Sequence, residues 1–443
     1  MVHTAVTDLE ARRLVSDLRA TRSLTEELAS PLAPEDQVVQ SMADVSPTKW
    51  HRAHTTWFFE TFILGPHSPG YRPVHPAYDY LFNSYYEQVG ERHPRAERGL
   101  ISRPTCEEVA EYRTAVDRSL DHLLTGLTDD PDPARWAAVA PLLELGTHHE
   151  QQHQELLLMD IKHVFSCNPL LPAYRLGTSA TGGGSPEPVR WVEVDSPGVV
   201  EVGHDGNGFA YDNEGPRHPA YLGSFSIADR LVTEDEWLAF MDDGGYERAE
   251  LWLSEGWATV QAQRWRAPAY WSPDSNGNWS VFTLGGERPV QAAAPVVHVS
   301  FFEADAYARW AGARLPTEEE WELVATTPAH APADELVNDL GAGFLHPRAA
   351  PAGTGGEHVR QLRGDGWEWT ASAYRPYPGF RPPPGAVGEY NGKFMSGQMV
   401  LRGGACVTPR DHTRPTYRNF FPPAARWAFS TVRLAADPDQ PRR

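Results

Sequence analysis

The sequence predicts a two-domain protein in which an all-α four-helix bundle is followed by a mixed α+β domain. Its 443 residues are too many for one small core, and about two domains is the expected number. The first part of the chain carries apolar residues at the helical spacings of three and four. Beyond a segment rich in Gly, Ser and Pro, short β-like runs alternate with turns and brief helices.

Bulk composition narrows the class of protein. A hydrophobic content of 41% is ordinary for a globular chain, and the formal net charge of −20 argues against a nucleic-acid partner. The sequence has no run of roughly 18 apolar residues and no apolar signal core, so we expect no membrane partner. Cys106, Cys167 and Cys406 are far apart and form no CxxC pair. This pattern predicts a cytoplasmic protein without a disulfide framework.

Helical periodicity defines the first predicted domain, residues 1–170. Its four predicted helices cover residues 8–29, about 47–64, a stretch that begins at "RPTCEEVAEY", and about 132–165. In the third helix, Thr105 is the expected N-cap and Glu108 its capping-box partner. Four long helices in succession are typical of a bundle.

The rest of the chain has a different character. Residues 65–102, between the second and third helices, form a long irregular segment, and a segment of that length in a compact domain is usually functional. Residues 171–190 are predicted to be a linker. Residues 191–443 are predicted to be the α+β domain, with β-like runs such as "HPAYLGSFSIA" and short helices such as "TEEEWELVA".

Two histidines of the fourth helix predict a metal site. His149 and His153 are four residues apart and therefore lie on one helix face. The same face carries Leu142, Leu145, Leu156 and Met159. The pair therefore points into the bundle, where two neutral imidazoles make a good chelate for a first-row transition metal. Gln152 lies beside them, and a polar group on this side needs a partner.

A third ligand is expected from the second helix, which offers His51 and His54. His54 lies near the middle of an apolar arc, whereas His51 lies toward its edge, so we select His54. The arc is formed by Trp50, Ala53, Trp57 and Phe58.

Three histidines without an obvious carboxylate ligand leave coordination positions open. This arrangement suits either zinc hydrolysis or non-heme iron chemistry with oxygen. The string "HEQQH", residues 149–153, also satisfies the HExxH pattern of zinc proteases. The residues alone leave these alternatives open.

Several motifs resemble known families. "SPTKWHRAH" and "HHEQQHQE" resemble the DinB-type four-helix domain of ergothioneine-biosynthesis sulfoxide synthases. "FAYDNEGPRH", "YARWAGARLPTEEEWE", "GDGWEWTASAYRPYPGF" and "VLRGGACVTP" resemble the formylglycine-generating-enzyme or sulfatase-modifying-factor fold, which is C-type-lectin-like. Together these resemblances cover nearly the whole chain.

The resemblance implies a particular reaction. It implies Fe(II) bound by His54, His149 and His153, and the O₂-dependent joining of a thiol to the imidazole carbon of N-α-trimethylhistidine (hercynine). The product would be a sulfoxide. Formylglycine-generating enzymes depend on a cysteine pair, but Cys406 is the only cysteine after residue 167. We therefore do not expect formylglycine formation.

The segment "NSYYEQVGERHPR", residues 83–95, resembles the branch of the family that uses free cysteine as the sulfur donor. In that branch the active-site tyrosines lie in this loop, which implies that Tyr85 or Tyr86 is catalytic and able to give a proton. Arg95 would bind the cysteine carboxylate, and Arg92 is the alternative.

Further substrate contacts are implied near the C-terminus. "RNFF" resembles the substrate-binding segment of the family, so Arg418 is a candidate second carboxylate partner. Asn419, Phe420 and Phe421 would surround the trimethylammonium group, since aromatic faces attract quaternary cations. Gln152 would bond to the substrate imidazole.

Alternatives of two kinds remain. A close relative could use γ-glutamylcysteine, a selenosugar on the way to selenoneine, or histidine as the acceptor on the way to ovothiol. From other classes, the alternatives are a DinB-type zinc hydrolase or thiol transferase and a binding module that has lost activity.

Overall fold

The fold is described from a computed structural model. The structure describes residues 7–129, 132–177, 184–195, 197–331, 337–352 and 358–438. Residues 178–183 of the predicted linker lie outside the described residues. The chain divides into two compact units, Met1–Leu170 with Gly385–Glu389, and Leu171–Pro384 with Tyr390–Arg443.

Helices form the first unit. They are α1 (Thr7–Ala29), α2 (Thr48–Phe59), α3 (Gly65–His67), α4 (Tyr78–Phe82), α5 (Cys106–Asp129) and α6 (Pro133–Ser166). The four long helices predicted from the sequence are confirmed, and α6 packs against α1 and α2. The predicted capping box of α5 is also confirmed, because Glu108 accepts the Thr105 N–H at 2.6 Å while the Thr105 hydroxyl accepts the Glu108 N–H at 3.1 Å.

The end of the second helix differs from the prediction of one regular helix to residue 64. The α-helix ends at Phe59, and Glu60–Leu64 form a π-helical turn. The buried Glu60 carboxylate accepts hydrogen bonds from the Tyr112 hydroxyl at 2.6 Å and the Tyr71 hydroxyl at 2.7 Å. These tertiary bonds accompany the wider turn, which periodicity does not reveal.

One glycine allows α2 and α6 to approach closely. A Cβ atom at Gly146 would lie 2.6 Å from the ring of Phe59 and 3.0 Å from the ring of Phe58. Because these distances are shorter than van der Waals contact, only glycine fits here without a shift of the aromatic rings. Gly146 lies one turn before His149, so the close approach occurs beside the candidate metal site.

The second unit is an α+β fold, as predicted. Its helices are α7 (Glu234–Asp242), α8 (Ser254–Gln263), α9 (Phe301–Trp310) and α10 (Glu318–Thr326). Its strands are β1 (Trp191–Val194), β2 (Gly198–Val202), β3 (His218–Leu222), β4 (Phe225–Ala228), β5 (Trp271–Pro273), β6 (Trp279–Thr283), β7 (Gly286–Pro289), β8 (Trp367–Ala373), β9 (Met399–Arg402), β10 (Asn419–Phe421), β11 (Ser430–Thr431) and β12 (Ala435–Ala436).

These strands form small, mostly antiparallel sheets. The orders are β10-β9-β8-β11, β1-β4-β12, β5-β6-β7 and β2-β3, and only the β8–β11 pair among them is parallel. Capping boxes start α7, α9 and α10 at Thr233, Ser300 and Thr317. The core of this unit contains four of the fifteen tryptophans of the chain as fully buried side chains, namely Trp237, Trp321, Trp367 and Trp369.

Two sequence-based expectations about the whole chain can be compared with the structure. Among the described residues, no helix combines the length and the apolar character that a membrane crossing requires. The three cysteines are free thiols, and Cys406 is fully buried.

Candidate metal centre

Three histidines from two helices of the first unit converge on one point. His54 lies on α2, and His149 and His153 lie one turn apart on α6. One ring nitrogen from each lies within 4.8 Å of the other two. His54 and His149 are buried, and His153 is half-buried. The structure thus brings together the three histidines selected from the sequence.

The hydrogen bonding of His54 fixes which nitrogen faces the centre of the triad. Its Nδ1 lies 2.5 Å from the carbonyl oxygen of Phe82. A carbonyl oxygen only accepts hydrogen bonds, so Nδ1 carries the proton and Nε2 keeps its lone pair. That Nε2 lies 3.2 Å from Nε2 of His149.

This separation fits a shared metal ion. Two nitrogen ligands at right angles around an ion, each about 2.1 Å from it, lie about 3 Å apart. The donors are all imidazoles, a set that suits zinc, copper, iron and nickel. Spacing and donor chemistry therefore agree with a transition-metal site.

Burial keeps the three rings in the form that binds metal. Burial lowers the pKa of His149 to about 3. Burial lowers the pKa of both His54 and His153 well below the ordinary value for histidine, and the neighbouring His149 ring lowers both values further. All three imidazoles are therefore neutral near pH 7, and neutral imidazole is the metal-ligating form.

Two tryptophans hold the His54 ring. Trp50 stacks on it with a centroid distance of 4.5 Å and an interplanar angle of 12°, and Trp57 stacks on it at 5.6 Å and 18°. The Trp50 indole N–H donates to the Leu81 carbonyl, and the Trp57 indole N–H donates to Asp79. The ligand is therefore oriented by rings that are themselves anchored.

His51, the alternative third ligand, lies outside the triad. Its Nδ1 is 2.8 Å from Nδ1 of His153, and its Nε2 is 2.9 Å from a carboxylate oxygen of Asp160. His51 therefore contacts a ligand rather than joining the three nitrogens.

The glutamate of the HExxH string does not serve the triad. Glu150 accepts hydrogen bonds from Arg22 at 2.9 Å and from Arg113 at 2.8 Å in the bundle core, and also from the Thr25 hydroxyl. Burial favours a raised pKa, but Arg22 and Arg113 outweigh it and lower the pKa of Glu150 to about 2. A carboxylate bound in this way is a structural anion, which removes the general base that a zinc protease needs.

The predicted tyrosines lie beside the rings that contact the triad. Tyr86 is fully buried, with centroid distances of 5.8 Å to Trp57 and 6.4 Å to Phe58. Trp57 also stacks on His54, and Phe58 lies 4.8 Å from the ring of His149. One aromatic ring therefore separates Tyr86 from each of two triad histidines.

The asparagine that precedes these tyrosines fixes their loop. The Asn83 side chain accepts the Tyr86 N–H at 3.1 Å and donates to the Tyr86 carbonyl at 3.0 Å. Tyr85 is half-buried, and its ring lies 4.6 Å from that of Tyr86.

Residues 92–98 contain three arginines, and sequence reasoning missed the buried one, Arg98. Arg95 is exposed and donates to the Asp44 carbonyl, and Arg92 pairs with Glu87 at the surface. Arg98 is buried, with its guanidinium carbon 3.3 Å from the Trp50 ring centroid. The sequence signal for Arg98 is its spacing, because it follows Arg95 by three residues.

Hydroxyl groups accept the hydrogen bonds of Arg98, and the charge of Asp160 favours its protonated form without forming an ion pair with it. Its guanidinium donates to the hydroxyls of Ser46 at 2.9 Å and Ser84 at 3.1 Å. No carboxylate oxygen from the part of the chain that the structure describes lies within 4 Å of it. Burial, helped by Arg95, lowers the pKa of Arg98 well below its usual range, although an arginine stays protonated. This environment suits the carboxylate of a ligand.

Comparison with known proteins agrees with the two-domain fold. The DinB superfamily model matches residues 17–157, and the sulfatase-modifying factor enzyme 1-like domain model matches residues 188–335. A hercynine oxygenase from Mycolicibacterium thermoresistibile is 34% identical over 425 residues, which cover 89% of this chain and 88% of that protein. The chain belongs to the hercynine oxygenase family.

Two further relatives extend this comparison. The hercynine oxygenase of Mycolicibacterium smegmatis is 35% identical over 423 residues, covering 89% of this chain and 91% of that protein. Ergothioneine biosynthesis protein 1 of Schizosaccharomyces pombe is 25% identical over 230 residues, covering 51% of this chain and 27% of that protein. The predicted fold class, a DinB-like bundle followed by a formylglycine-generating-enzyme-like domain, is confirmed for this hercynine oxygenase family member.

The predicted C-terminal residues of this family member lie in the second unit. Arg418 is buried and binds Glu318 through two nitrogens, at 2.8 and 2.9 Å. Asn419, Phe420 and Phe421 form the half-buried strand β10, and Phe420 stacks on another aromatic ring at 4.1 Å. The guanidinium of Arg418 is thus engaged within its own unit, and the substrate-binding role of these four residues stays a prediction.

Two other predicted features have clear positions. Gln152 is half-buried on α6, directly before the ligand His153. In the "GDGWEWT" motif, the Glu368 carboxylate accepts bonds from Arg433 at 2.7 Å and from the Trp321 indole at 2.9 Å, all in the core of the second unit. The Glu368 carboxylate of this motif is therefore engaged within the core of the second unit.

Proposed function

We propose that this chain is an O₂-dependent non-heme iron sulfoxide synthase of ergothioneine biosynthesis. It would join the imidazole carbon of hercynine to the sulfur of cysteine. The observation that carries the proposal is the triad of neutral histidines, His54, His149 and His153, in a chain that aligns with hercynine oxygenases over 89% of its length.

The proposed reaction balances with oxygen as its only oxidant. Hercynine loses the hydrogen on its imidazole carbon, and cysteine loses its thiol hydrogen. One oxygen atom of O₂ becomes the sulfoxide oxygen, and the other leaves as water with the two hydrogens. Fe(II), when bound, supplies O₂ activation and a site for the thiolate, because three neutral ligands leave about three octahedral positions open.

Aromatic side chains around the triad fix the orientation of two of its histidines. Trp50 and Trp57 fix His54, and Phe58 contacts His149. A site with fixed ligands can hold the thiol sulfur against the imidazole carbon, which favours bond formation over plain thiol oxidation.

Tyr86 is the better supported of the two tyrosines as the proton donor. It is fully buried, whereas Tyr85 is half-buried, and it packs on two rings that contact ligand histidines. A phenol Oη at this site can hold a proton and release it to a developing oxyanion. The Tyr85 ring packs against the Tyr86 ring at a centroid distance of 4.6 Å and so supports its position.

The carboxylate of cysteine is assigned to Arg98 together with Arg95. Arg98 is a buried cation that contacts two hydroxyl groups and an indole ring, and its fork of N–H donors matches a carboxylate. Gln152, beside a ligand histidine, is assigned to the hercynine imidazole, to which its amide can donate or accept a bond.

The deciding experiment is reconstitution of the metal-free protein with Fe(II) under anaerobic conditions. Hercynine, cysteine and O₂ are then added, and product mass and oxygen uptake are recorded. We expect a hercynine–cysteine sulfoxide at one O₂ per product. The matched control is the Zn(II)-loaded protein, which should consume no oxygen.

Parallel reactions separate the donor and acceptor alternatives. γ-Glutamylcysteine and a selenosugar replace cysteine in two of them, and histidine replaces hercynine in a third. Faster turnover with any of these would change the substrate assignment. Absence of oxygen uptake with every thiol would refute the synthase proposal.

A further inference from the structure

We propose that His51 and Asp160 are positioning residues that fix the tautomer of His153 and strengthen its bond to the metal. This inference rests on the proposed function only in taking the histidine triad as the metal site. It concerns residues that lie behind that triad and do not touch substrate.

The three side chains form one continuous hydrogen-bonded row. Nδ1 of His153 lies 2.8 Å from Nδ1 of His51, and Nε2 of His51 lies 2.9 Å from Oδ2 of Asp160. His51 and Asp160 are each only 3% exposed, so water does not compete for these bonds.

The direction of each bond follows from the carboxylate. An ionised Asp160 can only accept, so Nε2 of His51 must carry a proton. If that is the only proton on the His51 ring, its Nδ1 is an acceptor and Nδ1 of His153 donates to it. Nε2 of His153 is therefore left with its lone pair, and that is the nitrogen available to a metal.

This hydrogen-bonded row gives His153 a different acceptor from that of His54, the ligand on α2. His54 donates its Nδ1–H to a neutral acceptor, the Phe82 carbonyl, whereas His153 donates into a row that ends in a negative charge. The Asp160 carboxylate accepts from His51, which makes Nδ1 of His51 a stronger acceptor and so raises the basicity of the ligating nitrogen of His153. We therefore expect His153 to be the stronger donor of these two ligands.

Asp160 is itself held at the joint between the two helices that carry the ligands. Its Oδ2 also accepts the backbone N–H of Ser46 at 2.7 Å, two residues before α2 begins. Asp160 lies on α6, so one carboxylate ties the start of α2 to α6 and orients His51 at the same time. Such a position suits a residue that sets ligand geometry.

The experiment is an anaerobic Co(II) titration of the metal-free, full-length protein, followed through the visible ligand-field bands. Asp160→Asn keeps the side-chain size but removes the charge. We expect it to raise the Co(II) dissociation constant 10- to 100-fold and to shift the bands, as changes to the groups that orient a metal ligand typically do. His51→Ala should have a similar effect, and the double variant should show little further loss, because both residues belong to one row.

Glu60→Gln is the matched control. It also changes a buried carboxylate to an amide in the helical unit, but the donors to Glu60 are the Tyr112 and Tyr71 hydroxyls and the Val74 N–H, and not histidines. We expect its Co(II) affinity and bands to stay as in wild type, even where its melting temperature falls. A loss of affinity in this control equal to that of Asp160→Asn would show a general folding effect and overturn the inference.

The outcomes separate this inference from the proposed function. Wild-type Co(II) affinity and spectrum in Asp160→Asn would overturn the positioning role alone. If the wild-type protein binds Co(II) as expected and Asp160→Asn does not, but Fe(II) with hercynine and cysteine yields no product, the proposed function fails and the positioning role stands.

Discussion

The Glu150 carboxylate and the Arg113 guanidinium lie 2.8 Å apart in the core of the bundle, and the two side chains are 0% and 3% exposed. Arg22 binds the other carboxylate oxygen at 2.9 Å. The residue next to a metal ligand is therefore committed to holding α1, α5 and α6 together.

This ion-pair network leads to a prediction for Glu150→Gln. Removing the charge leaves two buried guanidinium groups without their shared anion, which typically costs about 3–5 kcal/mol of unfolding free energy. We expect a lower urea midpoint but unchanged turnover per bound iron at a temperature where the variant is folded. A folded, iron-loaded variant without turnover would instead identify Glu150 as a catalytic base.

The triad leads to a second prediction, for His149→Ala and His153→Ala. Each removes one of three ligands from a buried site, so we expect less than about a tenth of the wild-type iron content by elemental analysis. His163→Ala is the control, because His163 lies on the same helix but bonds to Ser41. Stoichiometric iron in His149→Ala would contradict the ligand assignment.

Helix periodicity was sufficient to predict the bundle and the position of the triad. His149 and His153 follow the i, i+4 rule, and His54 lies on the apolar face of its own helix. Both signals depend only on residues within one helix, so they can be detected in a single sequence. The capping box at Thr105 and Glu108 is predictable for the same reason.

The features that sequence reasoning missed depend on contacts between distant segments. The π-helical turn at Glu60 accompanies bonds to Tyr71 and Tyr112, and the burial of Arg98 depends on where an irregular segment crosses Trp50. Arg418 binds Glu318 in the structure, a pairing that the sequence did not predict, and its proposed contact with a substrate carboxylate stays a prediction. No pattern in the sequence specifies which acid a buried arginine meets.

The tyrosine loop leads to a third prediction. If Tyr86 delivers a proton during sulfoxide formation, Tyr86→Phe should lower the rate of carbon–sulfur bond formation by roughly 100-fold and shift the product toward oxidised cysteine. Tyr85→Phe is the matched control and should have a smaller effect, because Tyr85 is only half-buried. Mass spectrometry of both products gives the ratio, and unchanged ratios in both variants would exclude either phenol from this role.

A buried carboxyl in the second unit leads to a prediction about pH. Burial raises the pKa of Asp365 to about 6, from an ordinary value of 3.8. The folded protein therefore keeps a proton that the unfolded chain releases between these pH values. Stability from this group is full below about pH 4 and is lost as the pH rises through 6, by a total on the order of 2–3 kcal/mol.

Asp365→Asn isolates this effect. The amide oxygen can still accept the bonds that Asn338 and the Arg348 N–H now make at 2.7 and 2.8 Å, but it cannot ionise. In urea unfolding experiments between pH 4 and pH 7, we expect wild type to lose stability relative to the variant as the pH rises. A difference that stays constant over this range would contradict the assignment.

The last prediction concerns Arg98 and uses a thiol that lacks a carboxylate. Because Arg98 is a buried cation without a carboxylate partner among the described residues, Arg98→Met should weaken cysteine binding without leaving a buried anion behind. A charge-assisted hydrogen bond contributes about 1.5–3 kcal/mol, so KM for cysteine should rise about 10- to 100-fold. KM for cysteamine, which has no carboxylate, should stay near its wild-type value. Arg95→Met measures the share of the exposed arginine in the same binding role, and we expect a smaller rise in KM for cysteine. If Arg95→Met alone removes the preference for cysteine over cysteamine, Arg95 holds the carboxylate and the role of Arg98 is restricted to packing on Trp50.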